Sequence, residues 1–138
     1  MSHWSSKYLN IPYLADGRGW DGADCWGLVR LVLKEEKGLD LPSYGEISSE
    51  ELLQIHKKIK EQVELAEVWE NIPRESIQPF DICAMTAVGK RIVCHVGIMV
   101  DNKHLLHVEK VADSVIIPLT DRTIRERISC FRRYKMNK

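Results

Sequence analysis

The sequence predicts a single α+β domain in which an N-terminal helix packs on a mainly antiparallel sheet of about five strands. The first observation is an apolar run with helical spacing, which begins at Cys25 directly after a glycine-spaced polar loop. The second is a change to strand periodicity after Pro79, with short turns between strands. The third is size, because 138 residues with 44% hydrophobic content suit one domain over 1–138 with its own core.

The first helix is expected to span residues 24 to about 37. Asp24 suits the N-cap position, because its carboxylate can accept a hydrogen bond from an N–H one turn into the helix. Apolar residues from Leu28 to Leu33 supply the buried face, and Gly38 follows a charged last turn, as is typical of a helix C-terminus. Cys25 therefore falls in the first turn.

A second helix is predicted within the connection between residues 40 and 78. It begins at Ser48 or Ser49, where Ser-Ser-Glu-Glu forms a capping box. One apolar stripe at helical spacing follows, made of Leu52, Ile55, Ile59 and Val63. We interpret this stretch as a helical insertion in the single domain.

Alternating apolar residues predict the strands after Pro79. Short connections between them imply mostly antiparallel pairing. The predicted strands cover residues 81–86, 91–100, 105–109, 114–119 and 128–134.

The net charge, the cysteine spacing and the N-terminal residues limit which ligands, partners and cellular locations we expect. Twenty basic and twenty acidic residues cancel, so we expect no nucleic-acid binding. The chain shows neither a signal-peptide core nor about 18 uninterrupted apolar residues, so we expect cytoplasmic synthesis without a signal peptide and no membrane insertion. Four cysteines without C-x-x-C spacing predict neither a zinc site nor a disulfide framework. Catalysis by a thiol and imidazoles would need no metal or organic cofactor, so none is expected. A metal site of Cys94, His95 and His107 is disfavoured, because adjacent strand residues point to opposite faces.

Cys25 is the candidate nucleophile. The first turn of a helix carries unpaired N–H groups and the positive end of the macrodipole, and both favour a thiolate. Cysteines in such positions commonly have pKa values of about 3.5–7.5. The alternative is a small buried packing residue, but a packing cysteine is more typical of the middle of an element.

His95 and His107 lie in neighbouring predicted strands and can serve this thiol. A neutral imidazole can take the thiol proton, and a second group can fix the tautomer of that imidazole. A three-residue turn at 101–103 would pair His95 with Glu109 and Gly97 with His107, which puts both histidines on one face of the sheet. A turn one residue shorter would send His107 to the opposite face. The catalytic interpretation thus requires an odd-length turn, or a bulge that restores parity, with Gly97 leaving open space for substrate opposite His107.

Four separated segments together resemble the NlpC/p60 family of papain-like cysteine peptidases. Cys25 lies twelve positions after Tyr13, and His107 lies twelve positions after His95. The resemblance covers residues 11–32 and 79–134. The segments that carry it are Tyr13, residues 24–29, residues 95–98 and residues 106–107.

The resemblance implies a papain-like NlpC/p60 fold and a role for each site residue. Cys25 would be the nucleophile, His95 the base and His107 the orienting residue. Tyr13 would help to bind or polarise the substrate carbonyl, beside the Cys25 backbone N–H. The expected set of oxyanion and substrate-binding residues is Tyr13, Asp24, Trp26 and Gly97.

The implied activity is hydrolysis of amide bonds in peptidoglycan stem peptides through an acyl-enzyme. Trp26 stands where cell-wall hydrolases of the family more often have serine, and this variant resembles versions in phage tail proteins and prophage genes. It implies an enzyme on a virion tail that acts at the bacterial cell wall, with phage tail proteins as partners. Phe80 also departs from the family, which usually has glycine there.

Two alternatives stay open at this point. One is a structural tail-assembly subunit with weak activity. The other is a thiol acyltransferase or deamidase that uses the same site, because these reactions share the acyl-enzyme and differ in acceptor or leaving group.

Iodoacetamide at neutral pH is expected to alkylate Cys25 faster than the other three cysteines, because reactivity follows thiolate fraction and access. Peptide mapping by mass spectrometry after a short exposure measures this order. Faster modification of Cys83, Cys94 or Cys130 in the folded protein would contradict the choice of nucleophile.

Overall fold

The computed structural model describes residues 3–14, 17–39, 69–86, 93–109 and 112–134. Within these ranges one α-helix packs on a six-stranded antiparallel sheet with strand order β3-β8-β4-β5-β6-β7. A small hairpin, β1 with β2, precedes the helix. The elements are β1 (Arg18–Gly19), β2 (Gly22–Ala23), α1 (Cys25–Lys37), β3 (Trp69–Ile72), β4 (Ile82–Thr86), β5 (Val93–Met99), β6 (His104–His107), β7 (Val115–Pro118) and β8 (Ile128–Tyr134).

Helix α1 begins and ends where the sequence predicts. One carboxylate oxygen of Asp24 accepts a hydrogen bond from the Gly27 N–H at 2.8 Å. Gly38 adopts a left-handed conformation with φ 66°, and its N–H donates to the carbonyl oxygens of Leu33 and Lys34. These local contacts place Cys25 at the first position of the helix. No helix in the described part of the chain is both long and apolar enough to cross a membrane.

The sheet has one strand more than predicted. Strands β4 to β8 match the five predicted segments, but β3 lies in the stretch expected to be a helical insertion at 40–78. It pairs antiparallel with β8, with Ile72 opposite Phe131. Four residues are too few to show clear alternation, so the sequence alone does not identify this edge strand. The predicted helix from Ser48 lies outside the described residues.

Two apolar clusters stabilise the sheet, one on each face. The cluster between α1 and the sheet includes Leu28, Val32, Val96, Ile98 and Leu106. The cluster on the opposite face includes Cys83, Met85, Met99, Leu105 and Phe131. Alternation along β5 and β6 therefore sends successive side chains to different cores.

The N-terminal residues pack against the start of β7. They form a 3-10 helix, Trp4–Tyr8, capped by the His3 side chain. Ser114 is fully buried. The Ile11 N–H donates to Ser114 Oγ at 2.8 Å, and the Ser114 N–H donates to the Ile11 carbonyl at 2.8 Å. These bonds fix the segment that leads to Tyr13.

Phe80 adopts a left-handed backbone conformation with φ 75°. That conformation costs a residue with a side chain about 1–2 kcal/mol, which accounts for a glycine as the usual residue here. The Phe80 ring stacks on Trp4 with centroids 4.4 Å apart, and Lys37 Nζ lies 4.5 Å from its centre. The ring contacts offset the backbone cost.

Glycine at position 80 is expected to be more stable than alanine there, by about 1 kcal/mol, because only alanine keeps the left-handed penalty. Chemical denaturation of Phe80→Gly and Phe80→Ala measures the difference, since both variants lose the ring. The exposed helical residue Glu35 is the control. At position 35, Glu35→Ala should be more stable than Glu35→Gly, because alanine has the higher helix propensity. A higher stability of Phe80→Ala than of Phe80→Gly would refute the account of Phe80.

Candidate active site

His95 and His107 form a hydrogen-bonded pair. The distance from His95 Nε2 to His107 Nδ1 is 2.8 Å, and the two ring planes are inclined at 68°. Only 7% of the His95 surface and 4% of the His107 surface are exposed. One ring donates an N–H and the other accepts it, so each histidine fixes the orientation of the other.

The register between β5 and β6 confirms that both histidines lie on one face. Ile98 pairs with Leu106 and Met99 with Leu105. The Val100 N–H donates to the His104 carbonyl at 2.9 Å, which closes the three-residue turn at 101–103. This is the odd turn that the catalytic interpretation requires.

Gly97 does not leave open space for substrate, so that expectation is wrong. A Cβ at position 97 would lie 2.7 Å from Leu105 Cδ1 and 3.0 Å from His107 Cβ. The side chains of β6 already fill the space above Gly97. The glycine is needed because it lets His107 approach β5 closely.

Burial keeps both imidazoles neutral at neutral pH. It lowers the pKa of His95 well below its ordinary value, and His107 and Arg127 lower this pKa further. Burial also lowers the pKa of His107, while the Glu109 carboxylate acts in the opposite direction. A neutral His95 can accept a proton, as a general base must.

The pair lies at one end of the sheet. His95 is the third residue of β5, and His107 is the last residue of β6. His95 pairs with Met85, and the register shifts directly after Met85. Such bulges twist a strand and change the direction of nearby side chains. By strand parity, both histidine positions lie on the face of the sheet opposite α1. The bulge beside His95 can change the direction in which its side chain points.

The N-terminal segment ties the start of α1 to this same end of the sheet. His107 pairs with Val115, which follows Ser114, the residue that binds Ile11. Two residues further along, Tyr13 forms a parallel bridge with Ala23, which precedes Cys25 by two positions. At about 3.3 Å per extended residue, this path from His107 to the helix start is short.

The remaining predicted site residues surround the start of α1. Cys25 is buried, with 1% of its surface exposed. Asp24 is fully buried and caps the helix, and Trp26 packs in the core between α1 and the sheet. Tyr13 is partly buried against the same core. Substrate contacts by Tyr13, Asp24 and Trp26 stay predictions.

Cys83 has no character of a nucleophile. It is fully buried in the core opposite α1. Burial raises the pKa of its thiol to about 12, and Cys130 adds to this effect. A thiol with such a pKa is almost entirely protonated at neutral pH.

Sequence reasoning missed two residues beside the histidines, Glu109 and Arg127. Arg127 Nη1 donates to Glu109 Oε1 at 3.0 Å, and that oxygen lies 3.7 Å from His107 Nδ1. Glu109 carried a weak signal, because it follows His107 by two residues and so shares its strand parity. Arg127 lies in the connection between β7 and β8, far from the histidines in sequence, and no local pattern indicates it.

The donor atoms of His95, His107 and Glu109 lie within 4.8 Å of one another, close enough to consider a divalent cation. The two ring nitrogens already share a hydrogen bond, and Arg127 already supplies a positive charge to Glu109. A metal ion would have to displace both contacts. We assign no metal to this cluster, and a metal-free mechanism stays a prediction.

The sequence profile of the NlpC/P60 family matches residues 10–133, which include the thiol, both histidines and all six strands of the large sheet. The chain belongs to the NlpC/P60 family. No functionally curated protein sequence matches it.

Solved structures of family members share the fold. An NlpC/P60 family protein from Bacillus cereus has a TM-score of 0.68 at 22% identity, and covers 92% of this chain. A lipoprotein-like family member from Staphylococcus aureus has a TM-score of 0.65 at 20% identity over 95% of this chain. This chain spans only 36% and 39% of those two proteins. The NlpC/p60 domain of the peptidoglycan hydrolase SagA has a TM-score of 0.60 at 17% identity, over 96% of this chain and 92% of that domain.

Alanine at position 97 is expected to lower the free energy of unfolding by about 1–3 kcal/mol, because its Cβ would force Leu105 and His107 away from β5. Denaturant unfolding of Gly97→Ala measures this. The matched control is Gly19→Ala, since an added Cβ at position 19 meets no atom within 4 Å. Equal stability of the two variants would contradict the close approach of the strands.

Proposed function

We propose that this protein is a cysteine peptidase that hydrolyses amide bonds in peptidoglycan stem peptides through an acyl-enzyme on Cys25. The observation that carries the proposal is the buried, neutral pair of His95 and His107, joined at 2.8 Å. Membership of the NlpC/P60 family supports a cell-wall peptidase in general. A peptidoglycan substrate is supported by the SagA domain, whose fold this chain shares.

In the first half-reaction the Cys25 thiol attacks the carbonyl carbon of the scissile amide. His95 takes the thiol proton as the C–S bond forms, and then delivers it to the leaving amine as the C–N bond breaks. His107 keeps the His95 ring oriented through Nε2, which leaves Nδ1 of His95 to exchange the proton with the thiol. The product is a thioester on Cys25 and a free amine.

In the second half-reaction water attacks the thioester. His95 accepts a proton from this water and returns it to the departing Cys25 sulfur, so the C–S bond breaks and a C–O bond forms. The products are a carboxylic acid and the regenerated thiol. A neutral imidazole at the start of each half-reaction is what the lowered pKa of His95 provides.

The oxyanion in both half-reactions needs donors near the start of α1. The N–H groups of the first helical turn point toward the N-terminal end of the helix, where Cys25 lies. We assign the Cys25 N–H and the Tyr13 hydroxyl to this role. One such donor typically lowers the barrier by about 2.7–4 kcal/mol.

A virion tail is the proposed location of the enzyme, which would act from there on the bacterial cell wall. The support is Trp26, which follows the nucleophile where serine is more frequent in cell-wall hydrolases. Mass spectrometry of particles purified after prophage induction tests this location. Co-purification with tail proteins is the expected result, and absence from intact particles would contradict it.

Cys25→Ala and His95→Gln are each expected to abolish turnover while the melting temperature stays within a few degrees, because their main contribution is to the transition state. His107→Gln should keep more activity than either variant. The half-exposed His104 in the same strand as His107 is the matched control. His104→Gln should keep near wild-type turnover.

Mass analysis of purified peptidoglycan fragments incubated with wild-type protein and with Cys25→Ala provides the readout. New free carboxylic acids and amines with wild-type protein alone are the expected result. Amide transfer to an added amine without hydrolysis would point to an acyltransferase. No change in any stem peptide, with normal assembly into tails, would indicate a structural subunit and refute the peptidase.

A further inference from the structure

Arg127 is held rigidly beside the two histidines. Its Nε donates to the Thr86 carbonyl at 2.7 Å, and its Nη1 donates to the Thr123 carbonyl at 3.1 Å. The backbone returns the contact, because the Thr86 N–H donates to the Arg127 carbonyl at 2.8 Å. Only 12% of the Arg127 side chain is exposed. The guanidinium is therefore fixed between the end of β4 and the start of β8.

Glu109 connects this fixed charge to His107. Its Oε1 accepts from Arg127 Nη1 at 3.0 Å and lies 3.7 Å from His107 Nδ1. That ring nitrogen is the same one that meets His95 Nε2 at 2.8 Å. Arg127, Glu109, His107 and His95 thus form a contiguous polar cluster. The first and last contacts are hydrogen bonds, whereas the 3.7 Å contact between Glu109 and His107 is a charge contact.

Charges of both signs act on His107 from the elements around it. Glu109 follows β6, Asp121 lies in the turn after β7, Arg127 precedes β8, and His95 lies on β5. Glu109 and Asp121 raise the pKa of His107, while Arg127 lowers it. Arg127 also lowers the pKa of His95. Burial is the largest cause of the lowered pKa at both rings.

We propose that Glu109 and Arg127 are positioning residues that hold His107 in the orientation His95 requires. They also balance the positive charge that His95 acquires during turnover. Glu109 favours a proton on His107, the ring bonded to His95, whereas Arg127 fixes the Glu109 carboxylate and disfavours positive charge on both rings. The catalytic part of this inference rests on the proposed function. The orientation of the two rings can be tested on the protein without substrate.

Opposite shifts in the histidine titrations are the signature of this role. Nitrogen-15 NMR of the imidazoles in the full-length protein measures both the tautomers and the pH at which each ring gains a proton. Glu109→Gln should lower the pKa of His107, because the favourable negative charge is lost. Arg127→Gln should raise the pKa of both rings, since it leaves Glu109 without its guanidinium partner.

Neighbouring exposed residues of the same charge serve as controls. Arg125→Gln and Glu126→Gln alter a side chain of the same turn that points to solvent, and should leave both titrations unchanged. Arg127→Lys guards against a folding defect, because it keeps the charge but lacks the planar fork. In Arg127→Lys, the pKa values of His95 and His107 should stay below their ordinary values. The His107 ring should populate its two tautomers more equally than in the wild-type protein.

The activity readout is the acidic limb of the pH profile of kcat/KM, because the proposed mechanism starts from a neutral His95. It should move to lower pH in Glu109→Gln and to higher pH in Arg127→Gln, with kcat/KM reduced roughly tenfold in both, as is typical when an outer partner of a functional histidine is lost. Shifts of the same sign in the two variants, or none, would overturn the proposal. If the wild-type protein is active but the histidine pKa values are unchanged in both variants, the positioning role alone is refuted. If the two variants shift these pKa values in opposite directions but the wild-type protein shows no turnover, the positioning role is supported and the peptidase is refuted.

Discussion

The hydrogen bond between His95 and His107 is the contact on which the site depends. It exists because β5 and β6 meet in one register, set by the three-residue turn that Val100 and His104 close. A slip of one residue would send one ring to the other face of the sheet. Gly97 allows this close approach because it has no Cβ. A Cβ at position 97 would push Leu105 and His107 away from β5 where the rings meet. Register, turn length and one glycine thus place two imidazoles at 2.8 Å.

The thiol and the histidines come from different layers of the fold. Helix α1 packs on one face of the sheet, while the strand positions of the histidines belong to the other. The two can meet only at an end of the sheet. The bulge beside His95 and the Ser114 contacts of the N-terminal segment both act at that end. The N-terminal segment fixes the start of α1 at that end of the sheet, through the Tyr13 bridge to Ala23 and the Ser114 contacts.

Local signals explain which features the sequence predicts. Asp24 and Gly38 cap α1 through contacts within a few residues, and β8 is a seven-residue strand that is long enough to identify. The edge strand β3 is not predicted from the sequence, because four residues carry little periodicity. The left-handed Phe80 was visible only as a departure from the usual glycine, and its stacking on Trp4 joins distant parts of the chain.

The site shows the same division between near and distant contacts. Strand parity predicts a shared face for the histidines only if the turn between β5 and β6 has an odd length, and the structure supplies that turn. The charge pair beside them is not predicted, because Glu109 and Arg127 meet across separate segments and charged residues are common in any chain. Gly97 was misjudged, since its neighbours are set by tertiary packing rather than by its own strand.

The central claim is that His95 shares a proton with Cys25, and the pH dependence of thiolate ultraviolet absorbance tests it most directly. Cys25→Ala supplies the blank, so that the difference spectrum reports this one thiol. The account predicts that the thiolate forms at lower pH in the wild-type protein than in His95→Gln, with His107→Gln between them. Identical titrations of Cys25 in the wild-type protein and in His95→Gln would contradict the claim.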